Sequence, residues 1–147
     1  MSTLTLAQAS IIVDTALAKG RELKLHPLTV VVLDAGGHMV AMKREDESGI
    51  LRGEIALGKA WGTLGMGFGG REFARRAASG GAVFLQALMA ASGGRIVPAP
   101  GGVLIRDSGG AIIGAVGISG DTSDKDEACC LAGIAAAGLT ADTGEAV

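Results

Sequence analysis

The stretch Asp34-Ala35-Gly36-Gly37-His38-Met39-Val40-Ala41 returns later in the chain as Asp107-Ser108-Gly109-Gly110-Ala111-Ile112-Ile113-Gly114. Each copy joins an apolar strand, an Asp-x-Gly-Gly turn and a second apolar strand. The Asp carboxylate can accept from N–H groups further along the turn, and glycine supplies the positive φ that a tight hairpin needs. Two such hairpins commit the chain to an antiparallel sheet. The second runs on into Gly117-Ile118-Ser119-Gly120-Asp121 and then into a helix. That strand-to-helix junction is the leading position for a site.

Composition narrows the possibilities. With 147 residues the chain has the length of one domain, 1–147, and can bury a core. Hydrophobic residues make up 48% and charged ones 19%, the balance of an ordered protein. Tyr is absent, and Trp61, Phe68, Phe73 and Phe84 are the only aromatics. A net charge of −2 and so few rings leave nothing to neutralise phosphates or stack on bases, so nucleic acid is not an expected partner. Met1-Ser2-Thr3 lacks the basic and apolar regions of a secretion signal. No apolar run of about 18 residues is present to cross a membrane. The expectation is a cytoplasmic protein independent of membranes. Cys129 and Cys130 are neighbours on a predicted helix and point about 100° apart. They read as buried small hydrophobes in a reducing compartment, not as a disulfide or a metal site.

Period and capping predict the elements. Thr5 and Gln8 form a capping box, and Leu6, Ala9, Val13, Ala16 and Leu17 share a face of a helix running to about Leu23. His26-Pro27 ends it. Strands Leu28 to Leu33 and Met39 to Met42 form the first hairpin. They are apolar at nearly every position, which predicts cover on both faces or burial at a subunit contact. A middle helical region starts near Leu51. Its Gly58 and Gly62 lie one turn apart, where another backbone could approach closely. Arg71 to Ala78 and Ala82 to Ala91 read as short helices. The second hairpin spans Val103 to Ser119, and a last helix runs from about Asp124 to Gly138 with Ala128, Leu131, Ala132 and Ala135 inward. The order α-β-β-α-α-β-β-α is an α+β architecture, with helices flanking an antiparallel sheet built from two hairpins.

Several residues carry potential chemistry. At Gly117, Ser119, Gly120 and Asp121, backbone N–H groups and a helix N-terminus could hold a carboxylate or phosphate. Ordinary capping by Ser123 or Asp124 competes with that reading. Lys59 lies among Ala56, Ala60 and Leu64, where a charged head must snorkel, pair or face a pocket, and Asp46 or Glu127 is the expected partner. Arg95, after two glycines, could clamp a carboxylate. Arg71, Arg75 and Arg76 read as a solvated helix face. His26 and His38 sit in loops and share no metal-ligand spacing, so no metal site is expected. No Ser-His-Asp order or nucleophile elbow is present.

At these residues the chain resembles a known family. Val32-Leu33-Asp34-Ala35-Gly36-Gly37-His38-Met39-Val40-Ala41 is similar to its "VVD-x-GG-x-LVA" signature, and Ile55-Ala56-Leu57-Gly58-Lys59-Ala60 to its "IA-x-x-KA" helix. Gly114-Ala115-Val116-Gly117-Ile118-Ser119-Gly120, with Asp126-Glu127 and Ala132-Gly133, is similar to its "GAIGVSG…DE…AG" ending. The family is the GlcG/HbpS group, which includes the C-terminal domain of PduO-type proteins. The resemblance is collinear from about Leu4 to Leu139. It implies an antiparallel sheet flanked by helices, assembled into homo-oligomers. It also implies small-ligand binding, since some members bind haem, one of them as an extracellular redox-sensing accessory protein. Others are encoded beside catabolic enzymes.

Two functions follow as expectations. The first is a cytoplasmic accessory to a catabolic pathway that binds haem or a related tetrapyrrole, with His26, His38 or a methionine as axial ligand. The second is a small isomerase, hydratase or lyase acting on a carboxylated catabolite. There Lys59 and an acid from Asp46, Asp126 and Glu127 would move protons while the Gly117–Gly120 backbone holds an oxyanion. A purely structural oligomer is the third reading.

Overall fold

Residues 3–145 are described by the computed structural model. The chain opens with α1 (Leu6–Glu22), then the hairpin of β1 (Thr29–Asp34) and β2 (Met39–Arg44). Three helices follow, α2 (Arg52–Met66), α3 (Gly70–Ala78) and α4 (Ala82–Ala91). The second hairpin, β3 (Gly102–Arg106) and β4 (Ile112–Ser119), leads into α5 (Ser123–Ala136) and a short β5 (Thr140–Asp142). The expected α+β order holds, with the short helices expected at 71–78 and 82–91 both present, which makes three helices between the hairpins where the order counted two, and with one edge strand added at the end.

The strands form a single five-stranded antiparallel sheet in the order β2-β1-β4-β3-β5. β4 is its central strand, between β1 and β3, and the end of β1 pairs with the start of β4 (Asp34 with Gly114). Both hairpin turns therefore project from the same end of the sheet. They are built alike. The Asp34 carboxylate accepts from Gly36 N–H at 2.9 Å and His38 N–H at 3.0 Å. The Asp107 carboxylate accepts from Gly109 N–H at 3.0 Å and Ala111 N–H at 2.9 Å. Gly37 and Gly110 hold the matching positive φ, 81° and 87°.

Alternation along the strands sorts the core into two layers. On one face Val30, Val32, Val103, Ile105, Val116 and Ile118 meet α1 and α5 through Ile12, Val13, Ala16, Cys129 and Ile134. On the other, Val31, Leu33, Leu104 and Ala115 meet α2 through Ala56 and Ala60. That second face is small because α2 comes very close: a Cβ on Gly117 would lie 1.9 Å from the Ala56 carbonyl oxygen. A third cluster, Phe73, Leu85 and Ile96, ties α3 and α4 to the far side of α2, with Phe68 edge-on to Phe73 at 4.8 Å between ring centres.

Local expectations fared unevenly. The capping box on α1 is present, with Thr5 and Gln8 each accepting from the other's N–H. The inward face of α1 is Ala9, Ile12, Val13, Ala16 and Gly20, while Leu6 is exposed. β1 is buried on both faces, but β2 is an edge strand, mostly exposed. On α5 the buried residues are Asp126, Glu127, Cys129, Cys130, Gly133 and Ile134, not the expected stripe of Ala128, Leu131, Ala132 and Ala135. That buried face packs Cys129, Cys130 and Ile134 on α1, with Gly133 against the Ile12 carbonyl, and the two acids it carries inward find cationic partners.

Candidate functional site

The shared end of the sheet forms a cleft of about 390 Å³ between the two turns and the residues leading into α1. Leu4, Ala35, Ala111, Ile112 and Ile113 give it apolar walls, and Asp34 and His38 line it as well. Its size lies within the range typical of small-molecule sites, about 300–1,000 Å³. The His38 ring is exposed, with Nδ1 3.3 Å from the Asp34 carboxylate. Asp34 is held below the usual carboxylate range, first by the His38 N–H and then by the Gly36 N–H and the nearby imidazole. A carboxylate at Nδ1 favours the tautomer protonated there, which leaves Nε2 as the acceptor nitrogen. The cleft thus combines apolar walls with one exposed imidazole that a carboxylate approaches.

A second constellation sits at the opposite end, where α2, α3 and α5 meet. Lys59 is buried, and its ammonium donates to the Ile118 carbonyl at 2.9 Å and the Asp126 carboxylate at 3.3 Å. Asp126 also accepts from the Asp121 N–H at 3.0 Å. Burial raises the Asp126 pKa, while the Lys59 charge pulls it down. Next in sequence, Glu127 takes both Arg71 bonds on Oε1, at 3.0 and 2.8 Å, while its buried Oε2 has no hydrogen-bond partner among the described residues. That pairing raises the Arg71 pKa. Lys59 is therefore paired with Asp126, not with Asp46 or Glu127. Arg71, Arg75 and Arg76 are all half-exposed, as a solvated face requires, but each is engaged: Arg71 reaches Glu127, Arg75 and Arg76 bridge to Glu72, and Arg76 lies over the Phe68 ring.

The remaining sequence candidates are dispersed. Asp46 lies with Arg21, Arg44 and Glu45 around an open depression beside Pro27. The glycines of the junction are taken up by chain crossings. Gly117 lies under α2, and Gly120, at φ 153°, lies against the Pro27 carbonyl. Ser119 is buried and accepts from Arg52 at 3.1 Å. Asp121 receives the backbone N–H groups of His26 at 3.0 Å and Thr122 at 2.8 Å, which hold its carboxyl below the ordinary range. The N-cap residue of α5 is Thr122, not Ser123 or Asp124. His26 is anchored through its backbone at the other side of the molecule from the cleft, and its ring is exposed. Arg95 stacks on Trp61, 4.0 Å from the ring centre. No group of three or more His, Cys, Asp or Glu among the described residues could hold a metal ion. No helix among them is long and apolar enough to cross a membrane.

Residues that sequence reasoning passed over include Asp126 as the Lys59 partner, the Arg71–Glu127 pair and Trp61. The Asp126-Glu127 dyad was visible, but nothing in the sequence says which acid faces which cation.

Comparison with known proteins places this arrangement in context. Residues 4–135 match the family described as HbpS-like, "Haem degrading protein HbpS-like". A 15.0 kDa protein of Citrobacter freundii, encoded between dhaT and dhaS, is 31% identical over 126 residues, which is 86% of each chain. Among solved structures, protein ORFY of Klebsiella pneumoniae is 27% identical with a TM-score of 0.83, covering 94% of this chain and 92% of that one. A double mutant of HbpS from Streptomyces reticuli is 26% identical with a TM-score of 0.76, covering 92% and 87%. A PduOC–haem complex shares the fold, with a TM-score of 0.84 at 24% identity over 98% and 100% of the two chains.

Proposed function

The chain belongs to the HbpS-like family, and on that premise we propose that it binds haem or a related tetrapyrrole in the cleft between the two hairpin turns. In this reading His38 would hold the iron through Nε2, and Leu4, Ala35, Ala111, Ile112 and Ile113 would line the apolar face of the ring system. The observation that carries it is the Asp34–His38 pair beside an apolar cleft. A carboxylate at Nδ1 makes the imidazole a better donor to iron and fixes its direction. When bound, haem would bring an iron centre with redox chemistry of its own. The protein's residues supply the apolar walls, the oriented imidazole and the exclusion of water from one face.

The titration of purified protein with haemin, followed in the Soret region, tests this. A saturable band at one haem per subunit is expected, lost in His38→Ala and retained in His26→Ala. A band unaffected by His38→Ala would remove His38, and no band beyond that of free haemin would remove the reading itself.

In the same proposal the protein is a cytoplasmic accessory to a catabolic pathway and works as a homo-oligomer. The placing of the Citrobacter freundii relative between two other genes supports the accessory role. The open edge at β2 and the exposed Met39, Met42, Ile50 and Leu51 support assembly. The enzyme reading draws less support, because the Lys59 ammonium is occupied by Ile118 and Asp126 and buried with them.

A further inference from the structure

Arg95 and Glu54, both exposed at the surface, line one small open pocket, and neither forms an ion pair among the described residues. The cavity, about 170 Å³, lies against α2 and is completed by Leu57, Trp61, Gly93 and Gly94. We infer that it is a binding site for a small zwitterion, an amino acid in the chemical sense, with its carboxylate on the Arg95 guanidinium and its ammonium facing Glu54.

The site is built by the local sequence. A Cβ on Gly58 would lie 2.4 Å from the Arg95 carbonyl oxygen, so glycine there lets the 95–97 segment lie directly on α2. Val97 N–H donates to the Gly58 carbonyl at 3.2 Å, and Ile96 N–H donates to Ser92 Oγ at 3.1 Å. These contacts fix the backbone that follows Arg95, whose guanidinium lies over the Trp61 ring. Stacking covers the face of a guanidinium and leaves its in-plane N–H fork available, which is the geometry that receives a carboxylate with two parallel bonds. Gly93 and Gly94, at φ 67° and 82°, form the turn and place no side chain at the mouth.

Charge selects the ligand class. A simple anion would satisfy Arg95 but face the like charge of Glu54, and a simple cation would meet the reverse. A molecule carrying both groups satisfies both. The volume admits only a few heavy atoms, with Leu57 and the Trp61 edge for their carbon. The inference does not rest on haem binding, because the Trp61 ring stands between this cavity and the one along Ala35, Gly36 and Gly37.

Trp61 is the single tryptophan and tyrosine is absent, so intrinsic emission reports from the site itself. The experiment titrates glycine, β-alanine and 4-aminobutyrate against the full chain, with acetate and methylamine as the two halves. A saturable change in Trp61 emission is expected with at least one zwitterion, about tenfold weaker or more with either half. Arg95→Met should weaken the zwitterion by about tenfold or more, and Glu54→Gln should narrow its advantage over acetate. Arg95→Lys, which keeps the charge without the fork, replaces Arg95→Met if the latter does not fold. His38→Ala should leave the response unchanged. No response to any zwitterion at about 10 mM, or undiminished affinity in the Arg95 variant, would overturn the inference. Equal affinity for acetate and the best zwitterion would do the same.

Discussion

Replacing Lys59 by methionine keeps a long apolar stem and removes one buried charge. Asp126, 1% exposed, then loses its ion-pair partner and keeps only the Asp121 N–H on its other oxygen. The Ile118 carbonyl loses a donor as well. Breaking a buried pair by removing one partner costs about 3–5 kcal/mol. At roughly 2–4 °C per kcal/mol for a chain of this size, the melting temperature should fall by roughly 6–20 °C. Urea unfolding followed by Trp61 emission measures the loss directly. Burial already holds Asp126 above 3.8, and removing the Lys59 charge raises it further. Between the unfolded and folded pKa values the native state then binds more protons than the unfolded chain. Stability therefore falls as pH rises through that window, and the variant's deficit shrinks on acidification below it. Lys59→Met with Asp126→Asn removes the orphaned charge and should recover most of the loss. A single-variant loss under about 1 kcal/mol, or no recovery in the double variant, would refute a buried pair that matters to the fold.

Two further tests separate space from conformation and one turn from the other. Gly117→Ala places a Cβ 1.9 Å from the Ala56 carbonyl oxygen and should cost more than about 3 kcal/mol or abolish folding. Gly110→Ala meets open space and bears only the strain of φ 87°, about 1–3 kcal/mol, in the same denaturation assay. Asp34→Ala and Asp107→Ala each remove a carboxylate that accepts two backbone N–H groups, so each should lower stability by about 1–3 kcal/mol. Only Asp34→Ala should also weaken haemin binding, by about 10–100-fold, because it alone orients a ring nitrogen.

What could be read from the sequence was what is decided locally. The Asp-x-Gly-Gly turns and the Thr5–Gln8 box depend on residues two to four apart, and the structure contains their bonds. The close approach at Gly58 and Gly62 was readable as a possibility, though the segment that uses it, 95–97, was not. The face of α5 was misread for a physical reason. Hydrophobicity places Asp126 and Glu127 outside, but the face that packs Cys129, Cys130, Gly133 and Ile134 on α1 carries both acids inward, where Lys59 and Arg71, more than fifty positions earlier, pair with them. β5 is three residues of modest strand propensity that extend only because the edge of β3 is open to them. The glycines of the 117–120 junction carried an ambiguous signal. Close chain crossing and ligand approach both demand glycine, and at Gly117 and Gly120 the neighbouring atoms are carbonyl oxygens of Ala56 and Pro27.

The paired turns have one more consequence. Ala111 stands in the second where His38 stands in the first, and each offers its N–H to the Asp four residues before it at nearly the same length. The molecule thus contains its own histidine-to-alanine exchange, carried out on a matched backbone with no change in the turn's bonding. Geometry makes no demand on that position beyond the main chain, so whatever His38→Ala alters is chemistry, not architecture. The duplicate turn is the control that such a variant ordinarily lacks.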